Sequence, residues 1–190
     1  MMDELKESIT TALGSEGRIP RQLVRKWIHD ACSVEIEALL YKLTGEAWSR
    51  IEPNLEQEET CALIQRYLLR CIRENPSEGA ALNRYDAAGE LERWFDHLAG
   101  IEDTGDILQG VAAGVAALFL NGDDLIRGAI ETGFLEHVLE QPALRHLFSD
   151  WAYDERLQAA WRRALAWGEA HPSLMKSLRA GVRTVEGDEE

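Results

Sequence analysis

The residues with the widest chemical repertoire are five histidines, His29, His97, His137, His146 and His171. None falls in His-Glu-x-x-His, and no Glu-x-x-His pair of the di-iron kind occurs. The phosphate-cradling G-x-x-x-x-G-K-[ST], the dinucleotide turn G-x-G-x-x-G and the nucleophile turn G-x-S-x-G are missing too. The best catalytic candidate is ETGFLEHVLE, residues 131–140. Glu136 and Glu140 are four apart and share a helix face, with His137 at the edge of the apolar stripe. Joined through folding by His146 or His97, they could ligate a metal or serve as general acid and base. The plainer arrangement is a pair of solvated glutamates, with His137 closing the core edge by a hydrogen bond. The sequence specifies no cofactor and no metal site.

A second constellation is Arg156, Arg163 and Trp167, spaced by seven and four along one helix face, with Arg162 beside them. A guanidinium over an indole is a cation–π pair, and Arg with Trp is the composition of protein-binding hot spots. The same residues also suit a surface Arg laying its stem over a half-buried Trp. Trp48 falls in a connector with Ile51 close by, either tucked over the core or offered to a partner. Three acidic groups, Glu56/Glu58/Glu59, Glu102/Asp103/Asp106 and Asp123/Asp124, fall at or near expected helix starts. The helix macrodipole accounts for that placement by itself. Brought to one end of a bundle, they would form an acidic docking surface.

Charge limits the partners further. The 190 residues carry 34 acidic and 20 basic side chains, a formal charge of −14. Residues 1–95 carry −5 and residues 96–190 carry −9, so neither half is basic. Binding nucleic acid or an anionic membrane surface needs Lys and Arg to neutralise phosphates, and both are disfavoured. A basic protein, in contrast, would be steered in at long range. Cys32, Cys61 and Cys71 are odd in number, form no C-x-x-C and sit in helical patterns, where a thiol acts as a small hydrophobe. The start MMDELKES has neither a basic nor an apolar leader segment. These features predict a soluble protein of the reducing cytoplasm.

The elements that must position these residues are helices. Only 5 prolines occur, and apolar residues recur at spacings of three and four. The one long apolar run without a formal charge is Ile107–Leu120, ILQGVAAGVAALFL. At 14 residues it is too short for a bilayer, which needs about 20. An apolar helix over 104–120, buried on all sides, is expected at the centre of the fold. Gly110 and Gly114 would let a neighbour approach closely.

Around it the patterns predict helices over 4–13, 20–43, 55–74 and 83–99. The second is divided if Ser33 acts as a cap. Tyr85, Ala88, Leu91, Phe95 and Leu98 are expected to face inward. Asn83, Thr104 and Asn121 or Asp123 are the expected caps. A helix over 124–141 carries apolar positions at 125, 126, 129, 130, 133, 134 and 138 and a soft point at Thr132–Gly133. Pro142 begins a short helix, Asp154 a long one, and a last short helix runs to about 178. Residues 181–190 read as a flexible acidic tail. The expected fold is all-α: an irregular bundle of about seven to nine helices in one domain over 1–180, or a short HEAT-like stack. NPSEG at 75–79 is the candidate subdomain break.

Three functional readings follow from different classes. The first is an acidic protein–protein interaction module, in its most specific form an immunity- or antidote-type protein that binds and blocks a basic toxin domain. The second is a small-ligand or metal-binding enzyme centred on Glu136 and His137. The third is a homo-oligomeric scaffold, a homodimer in its smallest form.

Overall fold

The structure, a computed structural model, describes residues 2–77 and 79–171. The fold is all-α, with nine α-helices and one two-residue strand pair among the described residues. The chain divides into two compact units, residues 1–91 and 92–190. No helix among the described residues is long and apolar enough to cross a membrane. The last expected helix, to about 178, and the tail 181–190 lie outside the described residues.

The first unit contains α1 (Met2–Gly14), α2 (Arg21–Asp30), α3 (Val34–Glu46), α4 (Gln57–Glu74) and the start of α5 (Arg84–Ala99). Residues 20–43 form two helices, not one. The Ser33 hydroxyl accepts from the Ile36 amide at the start of α3, and the backbone before it is extended. Ile19–Pro20 and Ile51–Glu52 pair as short parallel strands, β1 and β2. Burial of Ile19 and Ile51 in this core holds them opposite each other. The same core takes Ile9, Val24, Trp27, Leu40 and Leu43, with Trp48 partly buried against it. At the end of α4, Asn75 takes a left-handed φ of 49°, a conformation Asn tolerates.

Acidic residues at the start of α4 are paired across to α2. Arg25 grips Glu59 at 2.6 and 2.9 Å, and Arg21 reaches Glu56. Glu37 of α3 is 1% exposed, and its Oε1 accepts from Arg66 Nε at 2.9 Å and Arg70 Nη1 at 3.0 Å, both on α4. This charged clasp ties α3 to α4 beside their apolar contact.

The second unit contains the rest of α5, α6 (Gly105–Asn121), α7 (Asp124–Ile130), α8 (Glu136–Leu139) and α9 (Gln158–Ala170). Its core is aromatic. Phe95, Phe134 and Phe148 meet pairwise with centroids 5.5–5.9 Å apart. Phe148 continues to Trp151, which packs on Phe119 at 5.2 Å. Edge-to-face and tilted pairs of this kind add about 0.5–1.5 kcal/mol each beyond their buried area.

The soft point at Thr132–Gly133 is a π-helical turn, Glu131–Leu135, inserted between α7 and α8. Pro142–Ala152 winds as a tight 3-10 helix, and α9 begins at Gln158, later than Asp154. The Asp154 carboxylate takes the Arg156 amide at 2.8 Å, and the Leu157 amide bonds to the Asp154 carbonyl. A local turn thus competes with the first helical turn.

Several expected burials differ. In α6, Leu108, Val111, Ala112, Val115 and Phe119 are buried, whereas Gln109, Gly110, Ala113 and Ala117 are exposed. The helix is therefore one-faced: Gly and Ala carry little apolar surface, so exposing them costs little. A Cβ on Gly110 would meet nothing within 4 Å. A close approach between segments is seen at Gly168 of α9, where a Cβ would lie 2.8 Å from the Glu140 amide nitrogen and 3.0 Å from the Leu139 oxygen. Tyr85 is 55% and Leu125 62% exposed. The buried faces of their helices are set instead by Ala88, Leu91 and Phe95, and by Ile126, Ala129 and Ile130. Thr104 occupies the residue before α6, but its hydroxyl donates backward to Leu98 and Ile101 carbonyls, closing α5. Asn83 and Asp123 cap α5 and α7 as expected.

Candidate functional site

An apolar groove of about 540 Å³ lies in the first unit, built by facing sides of α3 and α4. From α3 come Ala38, Tyr41, Lys42 and Gly45, at i, i+3, i+4 and i+7 of one helix face. From α4 come Thr60, Ile64 and Tyr67, again one face. Trp48 from the turn after α3, and Ala80 and Leu82 from the segment before α5, complete the lining. Ala38, Gly45 and Ala80 are small, and a Cβ on Gly45 would meet nothing within 4 Å. The hollow exists because small residues stand where larger ones would bring the two helices into full contact.

Two hydrogen bonds fix its aromatic wall. Tyr41 stacks on Tyr67, centroids 4.9 Å apart and planes 27° apart. The Tyr41 hydroxyl donates to Glu90 at 2.6 Å, and the Tyr67 hydroxyl accepts from the Leu82 amide at 3.1 Å. Burial pushes the Tyr67 phenol well above its usual range, so it stays neutral at physiological pH. Burial likewise lifts the Cys71 thiol to about 11, leaving it an inert core group. At the rim, Lys42 pairs loosely with Glu46 at 3.6 Å. Pockets of this volume and lining are the usual form of ligand and anchor sites.

Of these residues the sequence alone points only to Trp48. Ile64 is only partly buried because it faces the groove. The available signal was the run Ala38, Tyr41, Gly45, in which a large aromatic is flanked by small residues at helical spacing.

In the second unit, His137 Nδ1 lies 2.9 Å from Glu140 Oε1. The His137 ring meets Trp167 edge-on at 4.9 Å, and the His171 ring stacks on Trp167 at 4.5 Å. His146 instead bonds the Ala143 carbonyl and is exposed, as is His97. The imidazole that joins the group is therefore His171. Burial raises the Glu136 carboxyl above its ordinary range, with Glu131 adding to it, while His137 and His171 oppose. Glu92 is raised for the same first reason, with Asp96 and Glu140 adding to it and His137 and Arg93 opposing. Among the described residues no three His, Cys, Asp or Glu side chains gather as a metal site.

Among the described residues the ring partners of Trp167 are the His137 and His171 imidazoles, not the Arg156 or Arg163 guanidiniums. Arg163 is held by Glu131 at 2.6 and 2.7 Å, and Arg156 by Asp154. Both line a smaller hollow with Arg127. Glu102, Asp103 and Asp106 lie at the start of α6, and Asp123 and Asp124 beyond its end, all exposed. A 17-residue helix separates the groups by about 25 Å, so they do not merge into one patch.

No protein-family model, no curated protein and no solved structure matches the chain.

Proposed function

We propose that this chain is an acidic protein–protein interaction module whose groove between α3 and α4 receives an apolar anchor from a basic partner. The observation that carries the reading is the groove itself, about 540 Å³ and lined chiefly by Tyr41, Trp48, Ile64, Tyr67 and Leu82. Tyr and Trp around a recess supply large contact area at small entropic cost, the composition of binding hot spots. The charge of −14 selects the partner: a basic surface is drawn in at long range, and a nucleic acid is repelled. An antidote-type protein that occupies a basic toxin domain is the specific form this reading takes. Cys32, Cys61 and Cys71 stay free, which suits a reducing cytoplasm.

The test is affinity capture on the immobilised full chain from its native lysate, at low and at high salt. The reading expects a discrete basic protein retained at low salt and weakened at high salt. Retention of only acidic proteins, or capture insensitive to salt, contradicts it.

A further inference from the structure

The hollow lined by Arg127, Arg156 and Arg163 is a second recess with a different chemistry, confined to the second unit. Arg156, Ala159, Ala160 and Arg163 follow one another at i, i+3, i+4 and i+7. The two small alanines leave the space, and the two guanidiniums frame it. Arg127 of α7 and the last turn of α6, Phe119 and Leu120, complete the lining around about 340 Å³.

Each guanidinium is anchored by contacts that use two of its three nitrogens. Arg163 uses Nε and Nη2 on Glu131, and Arg156 uses Nε and Nη2 on Asp154. Arg127 uses Nε on the Phe119 carbonyl and Nη1 on Asp124. A guanidinium carries five N–H donors, so donors remain on all three after this anchoring. The carboxylates orient the forks without exhausting them.

Residues 92–190 carry −9, yet three of their nine basic residues converge here. The surrounding field repels polyanions, which leaves a singly charged ligand as the fitting class. Beside the donors, Leu120, Ala159 and Ala160 offer an apolar surface. The cavity is at the small end of the usual range for ligand sites, about 300–1,000 Å³. The geometry points to this hollow as a binding site for a small monocarboxylate with a short apolar chain. The carboxylate takes the planar, paired hydrogen bonds that guanidinium forks form best, and the chain lies over the alanines.

Octanoate is the probe, with 1-octanol as its uncharged counterpart, titrated into the full chain by calorimetry and amide NMR. Saturable octanoate binding is expected, with the largest amide shifts at Phe119, Leu120, Ala159 and Ala160 and none of comparable size from 1-octanol. Arg156→Gln, at an exposed side chain, weakens it about tenfold. Ala159→Trp, which fills the hollow from an exposed position without changing charge, abolishes it. The Gly45→Trp variant separates this site from the groove of the first unit and leaves octanoate binding unchanged. The inference is overturned by no saturable binding up to about 10 mM, by equal binding of 1-octanol, or by binding lost in Gly45→Trp but kept in Arg156→Gln and Ala159→Trp.

Discussion

Tyr41 and Tyr67 stack 4.9 Å apart, one from α3 and one from α4, and both line the same groove. Their hydroxyls are committed to Glu90 and to the Leu82 amide. The pair therefore links the helix faces to the segment that closes the groove. Tyr67→Phe keeps the ring but strands the Leu82 amide without that acceptor. It should cost about 1 kcal/mol in urea unfolding and raise amide exchange at Leu82. A variant as stable as the parent, with Leu82 exchange unchanged, would show that this bond does not hold the segment.

Gly168 sets the distance between α9 and α8. A methyl there meets the Leu139–Glu140 peptide at 2.8–3.0 Å, and backbone yields less readily than a side-chain tip. Gly168→Ala should destabilise the protein by about 1–3 kcal/mol despite its better helix propensity. Gly89→Ala inside α5, where an added Cβ meets nothing within 4 Å, should be neutral or stabilising. Thermal unfolding of the two variants side by side checks both signs.

Glu37 holds two arginines with one carboxylate oxygen, and its Oε2 is buried without a hydrogen-bond partner. Glu37→Gln should cost about 2 kcal/mol. That is less than the loss of a fully buried pair, because Arg66 is 44% exposed. Arg66→Ala should cost less, about 1 kcal/mol, since Arg70 still serves the carboxylate. Equal losses from the two substitutions would mean that the partners do not share the charge in this way.

Glu92 and Glu136 are raised by burial above the ordinary glutamate value of 4.5. An acid raised in the folded state binds its proton more tightly there than in the unfolded chain. Its ionisation then costs stability as pH rises from the unfolded value through the folded one. Glu92→Gln should therefore raise the Tm at pH 7 and bring little change near pH 4, where the carboxyl is largely protonated. Glu59 runs the opposite way: its hydrogen bond from Arg25 holds the carboxyl low. Its stabilising contribution is present above 4.5 and is lost as pH falls through the lowered value. A Tm gain for Glu92→Gln that persists unchanged from pH 7 to pH 4 would contradict the burial effect.

Much of the helical order was legible because helices announce themselves by spacing and by caps. Ser33, Asn83 and Asp123 are short polar residues ahead of apolar periodicity, and each caps a helix. Thr132–Gly133, a β-branched residue followed by glycine, marks the π turn. Less was legible where small residues were read as strongly apolar. The Ala- and Gly-rich run of α6 is uncharged, yet its small side chains bear exposure.

The candidate site was harder to read. Periodicity assigns Tyr41 and Gly45 to one face of α3, and Ile64 and Tyr67 to one face of α4, but not the gap between them. That gap depends on which faces meet and on Trp48, Ala80 and Leu82 arriving from elsewhere in the chain. His171, and not the expected His146 or His97, is the imidazole brought near His137, across Trp167, for the same reason. Contacts that depend on how separate segments meet leave little trace in local spacing.

The measurement that tests the central claim most directly is capture by the Gly45→Trp variant set beside the parent chain. Gly45 faces open space in the groove, so the indole occupies the recess while the net charge and the fold remain as they were. The account predicts that a basic protein held by the parent binds the variant at least about thirtyfold more weakly. Undiminished binding to Gly45→Trp would place the partner elsewhere on the acidic surface and contradict the groove as its site.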